Sequence, residues 1–165
     1  MAKPIVNDQK AWREHLLYLL EGGGAHLNFE KIIAGLPANL RGRRPRGAEH
    51  SPWEIVEHLR LAQWDILEFS TNAKHVSPPW PAGYWPDEPE PPSARAWERT
   101  IRDFRRDLKA TQKLVEDPAT DLLAPIPHGS GQTVLREVLL MADHNAYHLG
   151  ELTLVRRLLG SWPPQ

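Results

Sequence analysis

The sequence predicts an all-α protein, a four-helix bundle with long proline-rich connections. Three observations lead there. Apolar residues recur at three- and four-residue steps in four long segments, the period of a helix with one buried face. No stretch alternates apolar and polar residues as a half-buried strand would. The 16 prolines crowd the intervals between these segments, because inside a helix each would remove a backbone donor and clash with the preceding turn.

The first helix is expected over residues 8–20, with Trp12, Leu16, Leu19 and Leu20 on its buried face and Asp8 as its cap; Gly22, Gly23 and Gly24 end it. A shorter helical piece follows over 25–34, where Leu27, Ile32 and Ile33 offer apolar contacts before Gly35 and Pro37 stop it. Residues 40–49 carry Arg41, Arg43, Arg44 and Arg46 among glycines and a proline. That composition suits a solvated loop, and without interleaved aromatics to stack bases it makes a poor nucleic-acid patch.

Ser51, Pro52 and Glu54 form the clearest local signal: a cap, a proline at the first helical position and a carboxylate placed to reach back as in a capping box. The second long helix then runs to about 72, with Ile55, Leu59, Ala62, Ile66 and Phe69 in register. Residues 76–92 hold seven prolines together with Trp80, Tyr84 and Trp85. Such a stretch is neither helix nor central strand, and an apolar, proline-stiffened loop of this length suits either a cover that shapes a pocket or a shield for core edges. Ser93 caps the third long helix, to about 115, with Trp97, Ile101, Phe104, Leu108 and Leu114 on one side. The fourth covers 133–159, closed by Gly160 with Pro163 and Pro164 beyond, and Arg156 and Arg157 in its last turns suit the helix dipole.

A chain of 165 residues with a formal charge of -1 suits one compact domain spanning 1–165 and has no general attraction for nucleic acid or anionic membrane. The start lacks a signal-peptide core, and no stretch approaches the length of a membrane span, so the expected location is the cytoplasm. Cysteine is absent, which excludes disulfides, thiolate ligands and a protein thiol nucleophile.

Chemistry concentrates in the last helix. His144 and His148 are four residues apart and therefore point the same way. Leu140, Met141, Leu152, Val155 and Leu159 lie at three- and four-residue steps from them, so both imidazoles face the core. Such a pair is a common holder of a first-row metal ion, but taken alone it reads more simply as a pair of hydrogen-bonded core histidines. A third inward histidine decides between these, and His58, three residues after Ile55 and four before Ala62, supplies it from the second long helix. Three imidazoles from facing helices leave a fourth position for water or substrate, the arrangement of a reactive zinc-like site. Glu54, Asp65, Asp143 and Glu151 are the carboxylates placed to orient a ring or act as a base. His15, His26, His50, His75 and His128 fall outside the constellation and read as surface or structural residues.

These residues resemble the DinB-like (YfiT-like) superfamily of bacterial four-helix-bundle metalloproteins. The resemblance covers nearly the whole chain and rests on His58 within Trp-Glu-Ile-Val-Glu-His-Leu and on His144 and His148 within Asp-His-Asn-Ala-Tyr-His-Leu-Gly. The Gly-Gly-Gly-Ala-His-Leu stretch and the tryptophan-rich proline loop also look like one branch of it. The resemblance implies a divalent ion on His58, His144 and His148, zinc or nickel foremost; Trp80, Tyr84 and Trp85 of the proline-rich loop are the candidates to line a pocket for a small-molecule substrate. Some relatives are zinc-dependent transferases that join a low-molecular-weight thiol to an electrophile, and a related branch includes a mycothiol-dependent isomerase. A thiol transferase is thus the leading expectation; a metal-dependent hydrolase and a non-catalytic, metal-stabilised binding or stress-response module are the alternatives. Relatives and the apolar surface of a small bundle also lead us to expect a homodimer.

Overall fold

The computed structural model describes residues 9–22 and 24–163. Among them the architecture is all-α: α1 (Lys10–Leu20), the short α2 (Phe29–Ile33), α3 (Pro52–Thr71), α4 (Ala94–Glu116) and α5 (Val134–Leu158). The only strand-like pairing among the described residues is an isolated bridge between Pro125 and Thr133. α3 packs on both α4 and α5, α1 packs on the same two helices, and α2 rests on α5. Among the described residues no helix is long and apolar enough to cross a membrane.

The starts of the helices follow their local sequence. At α3 the full capping box forms: Ser51 Oγ accepts from the Glu54 amide at 3.2 Å, and the Ser51 amide donates to Glu54 Oε2 at 2.8 Å. Ser93 and Thr133 cap α4 and α5 in the same way, accepting from the amides of Ala96 and Arg136. Asn28 caps α2 through the Lys31 amide, so that helix starts at Phe29, later than the expected 25. The expected caps and stops at Asp8, Gly23 and Pro164 lie outside the described residues. Gly160, at φ 70°, closes α5 in the left-handed conformation that glycine adopts without a Cβ penalty.

Two expected apolar faces are narrower than their periodicity suggested. On α1 only Leu16 and Leu20 are buried, whereas Trp12 and Leu19 are exposed; α1 contacts α4 and α5 along a single seam, which covers one row of side chains. On α5 Met141, Leu152 and Val155 are buried and Leu140 is exposed. Leu27, just ahead of α2, is also exposed. In the arginine-rich loop, Arg41 lies over the Trp97 ring at 4.6 Å and Arg44 pairs with Glu54, so two of its cations are turned to the protein.

The buried apolar side chains fall into two clusters. On α3 one ends at Leu59 and the other takes up at Leu67; on the antiparallel α5 they resume at Leu149 and Met141 respectively. Polar side chains fill the interval: His58, Gln63, His144, Asn145 and His148. There Asn145 Nδ2 donates to Gln63 Oε1 at 3.0 Å, and Gln63 Nε2 donates to the Phe104 carbonyl at 2.7 Å.

Leu152, fully buried between α5 and its neighbours, and Leu154, half exposed on the same helix, make a matched pair. Leu152→Ala is expected to lower unfolding free energy by about 2–5 kcal/mol, and Leu154→Ala by less than about 0.5 kcal/mol, read from urea titrations followed by circular dichroism.

Candidate metal centre

His58, His144 and His148 converge in the polar interval, with one ring nitrogen from each lying within 4.8 Å of the others. Helical register brings His144 and His148 together from consecutive turns of α5. His58 comes from the first half of α3, whose position the Ser51 capping box and the packing of Ile55 and Leu59 fix.

The hydrogen bonds of the outer ring nitrogens decide what the inner ones present. His58 Nδ1 lies 2.8 Å from the Tyr84 carbonyl, which can only accept, so the proton of neutral His58 is on Nδ1. His148 Nδ1 lies 2.7 Å from Glu151 Oε2, and the same logic puts its proton there. In the neutral rings both Nε2 atoms are then bare lone pairs, yet they face each other at 3.1 Å. His144 Nε2 approaches His58 Nε2 at 2.9 Å. The opposed lone pairs of His58 and His148 repel unless a cation lies between them, and a divalent ion would satisfy all three rings at once. Imidazoles about 2.0–2.1 Å from a tetrahedral ion stand roughly 3.3 Å from one another, close to the 3.1 and 2.9 Å at which His148 and His144 stand from His58. Three imidazole nitrogens on a mostly buried site therefore fit a borderline divalent ion such as zinc or nickel.

Burial favours the neutral, ligating form. It is the main cause that pushes His58 down to about 4, with the Tyr84 carbonyl opposing and His148 adding to the shift. Burial also pushes His144 down to about 3, reinforced by His148 and His58. Burial alone would raise Glu151, but the hydrogen bonds from His148 and His50 outweigh it and hold the carboxyl below its ordinary range.

Of the four carboxylates singled out in the sequence, Glu151 alone touches a histidine of the cluster. Asp65 accepts from the Tyr84 hydroxyl at 2.7 Å and pairs with His75 at 2.6 Å; it reaches the site only by holding the residue whose carbonyl holds His58. Burial, followed by this contact with Asp65, raises the Tyr84 hydroxyl to about 12. Glu54 is taken up by Ser51 and Arg44. Asp143 is exposed, because neighbouring residues on a helix point about 100° apart and His144 takes the inward direction.

The three aromatic pocket candidates separate as well. Trp85 stacks flat on His58, with centroids 3.8 Å apart and planes 3° from parallel, and presents an edge to His148 at 5.9 Å. Tyr84 is buried and serves the site through its backbone. Trp80 is 78% exposed and touches Tyr84 rather than the histidines, so it does not line the site. Sequence reasoning missed His50, which contacts Glu151 and Trp85, and Tyr147, which meets His148 edge-on at 4.9 Å. His50 lies ahead of a helix start, where no periodicity aims a side chain; Tyr147 offered only its place beside His148. His15, His26 and His128 are exposed, and His75 is tied to Asp65, as surface or structural histidines would be.

The sequence model of the DinB superfamily matches residues 24–152, a span that includes all three histidines. The chain belongs to the DinB superfamily. No curated protein and no solved structure matches it.

His58 and His144 titrate below the ordinary value of 6.5, so in this interval the unfolded chain binds more protons than the folded one. The metal-free protein is thus expected to keep its full stability from these groups above about pH 6.5 and to lose it progressively toward about pH 4. The lowered Glu151 adds a loss of the same sign at still lower pH. Urea midpoints measured in chelator from neutral pH to about 5 test this; a midpoint that stays flat or rises on acidification contradicts it.

Proposed function

We propose that this protein is a metal-dependent enzyme that holds one divalent ion on Nε2 of His58, His144 and His148 and joins a low-molecular-weight thiol to a small electrophile. The observation that carries the metal reading is the 3.1 Å approach of His58 Nε2 to His148 Nε2, with both Nδ1 atoms committed elsewhere. Membership of the DinB superfamily supports it. A divalent ion at this place would supply a Lewis acid that favours the thiolate over the thiol at neutral pH.

The chain's own groups prepare that chemistry. The Tyr84 carbonyl and the Glu151 carboxylate fix the ring direction of His58 and His148, as outer hydrogen bonds do for metal-ligating imidazoles. Trp85 covers one face of His58 and excludes water there. The sulfur has to come from the cosubstrate, since the chain has no cysteine.

Carboxylate placement favours thiol activation over a hydrolysis that relies on a protein base. A hydrolase of that kind needs a base within reach of its attacking water, but both Glu151 oxygens are engaged, by His148 and His50, and those of Asp65 by Tyr84 and His75. A thiol acidified by a metal ion needs no such base.

His148→Ala is expected to lose stoichiometric metal while staying helical, measured by elemental analysis after dialysis and by circular dichroism; one tightly held ion per chain in that variant refutes the ligand set. The zinc-loaded wild type, and not the metal-free form, is expected to lower the apparent pKa of a small added thiol, followed by thiolate absorbance. Equal titration in both forms removes the transferase reading and leaves the ion a structural staple, whose extraction should then lower the melting temperature sharply.

A further inference from the structure

His50 is one residue ahead of the Ser51 cap and outside every helix, yet it touches both supports of the histidine cluster. Its Nδ1 lies 3.0 Å from Glu151 Oε1, while Glu151 Oε2 takes the N–H of His148. Each carboxylate oxygen thus receives one imidazole N–H. The other contact is with Trp85: the His50 ring stacks on the indole at 4.0 Å, 12° from parallel. His58 stacks on the same indole at 3.8 Å. Two flat rings cannot share one face of an indole at such distances without overlapping, so Trp85 is gripped between them.

We propose that His50 is a positioning residue that aims two of the three metal-binding imidazoles at once, His148 through Glu151 and His58 through Trp85. The inference rests on the metal reading above. A carboxylate held by one donor is free to rotate about its last side-chain bond; a second donor on the other oxygen removes that freedom and fixes the direction of the His148 N–H. An indole stacked on one side only can slide or tilt, and a ring on its second side prevents this. His50 is itself anchored. The Ser51 amide is bound to Glu54, and the Ser51 hydroxyl donates to the Pro89 carbonyl, at the returning end of the loop that carries Trp85. The His50 and Glu151 side chains are both 26% exposed, so this contact is only partly screened by solvent.

Three substitutions separate the two arms. His50→Ala removes both, His50→Phe keeps a ring on Trp85 without an N–H for Glu151, and His50→Gln keeps an N–H donor without a stacking ring. Zinc affinity is read by competition with a chromophoric chelator, beside the melting temperature of each metal-free protein. Loss of an outer hydrogen bond to a metal ligand typically weakens binding about 10–100-fold. That loss is expected for His50→Ala, with smaller losses for His50→Phe and His50→Gln and metal-free melting temperatures close to wild type. In metal-free wild type, ring nitrogen resonances of His148 should show a protonated Nδ1 and a bare Nε2, and His50→Phe should mix the two tautomers. Zinc affinity and His148 tautomer unchanged in His50→Ala overturn the proposal. Should that variant fail to fold, unchanged values in both His50→Phe and His50→Gln overturn it instead. A wild type that binds no zinc sinks the metal reading, and is thereby told apart from a failure of His50 alone.

Discussion

Three imidazoles brought together between apolar layers must each account for two ring nitrogens, and this requirement shapes the middle of the molecule. A buried polar group without a partner costs about 1–3 kcal/mol, so the outer nitrogens of His58 and His148 are met by a backbone carbonyl and a carboxylate. Those bonds push the bare lone pairs inward. The interior is thereby divided into two apolar clusters with a polar layer between them, where Gln63 and Asn145 extend the hydrogen bonding away from the histidines.

The proline-rich loop makes this arrangement possible. A mid-helix carbonyl is already engaged by an amide of its own helix and has only its second lone pair to give, as Phe104 gives it to Gln63. Residues 76–92 have few such obligations: Tyr84 gives its carbonyl to His58, and the next residue lays its indole over the same ring. Asp65 reaches from α3 to the Tyr84 hydroxyl, and Ser51 binds the loop at Pro89. The loop is thus fastened at two points to the helix that carries His58, which makes it part of the site and not a mere shield for core edges.

Electrostatics and packing agree on the state of the site. Burial disfavours imidazolium at His58 and His144, and neutral imidazole is the form that ligates. The price is acid sensitivity in the absence of a metal ion. The same fixed network engages the acids nearest the histidines: Glu151 is held by His148 and His50, and Asp65 by Tyr84 and His75.

The helix starts at Ser51, Ser93 and Thr133, the grouping of His58 with His144 and His148, and the exclusion of a protein thiolate were all legible in the sequence, because each depends on short-range spacing or on composition. Which carboxylates serve the site was not. Glu54, Asp65, Asp143 and Glu151 look alike along the chain, but Arg44 claims the first, Tyr84 the second and solvent the third. The loop residues Tyr84, Trp85 and His50 lacked a period from which a direction could be read, and Leu140, Trp12 and Leu19 had a period but no covering helix. The sequence by itself therefore determined the helices and the three inward histidines, since helical geometry is local. Only the tertiary structure decided how those rings are held, since their partners come from segments distant along the chain that meet only once α3 and α5 have packed.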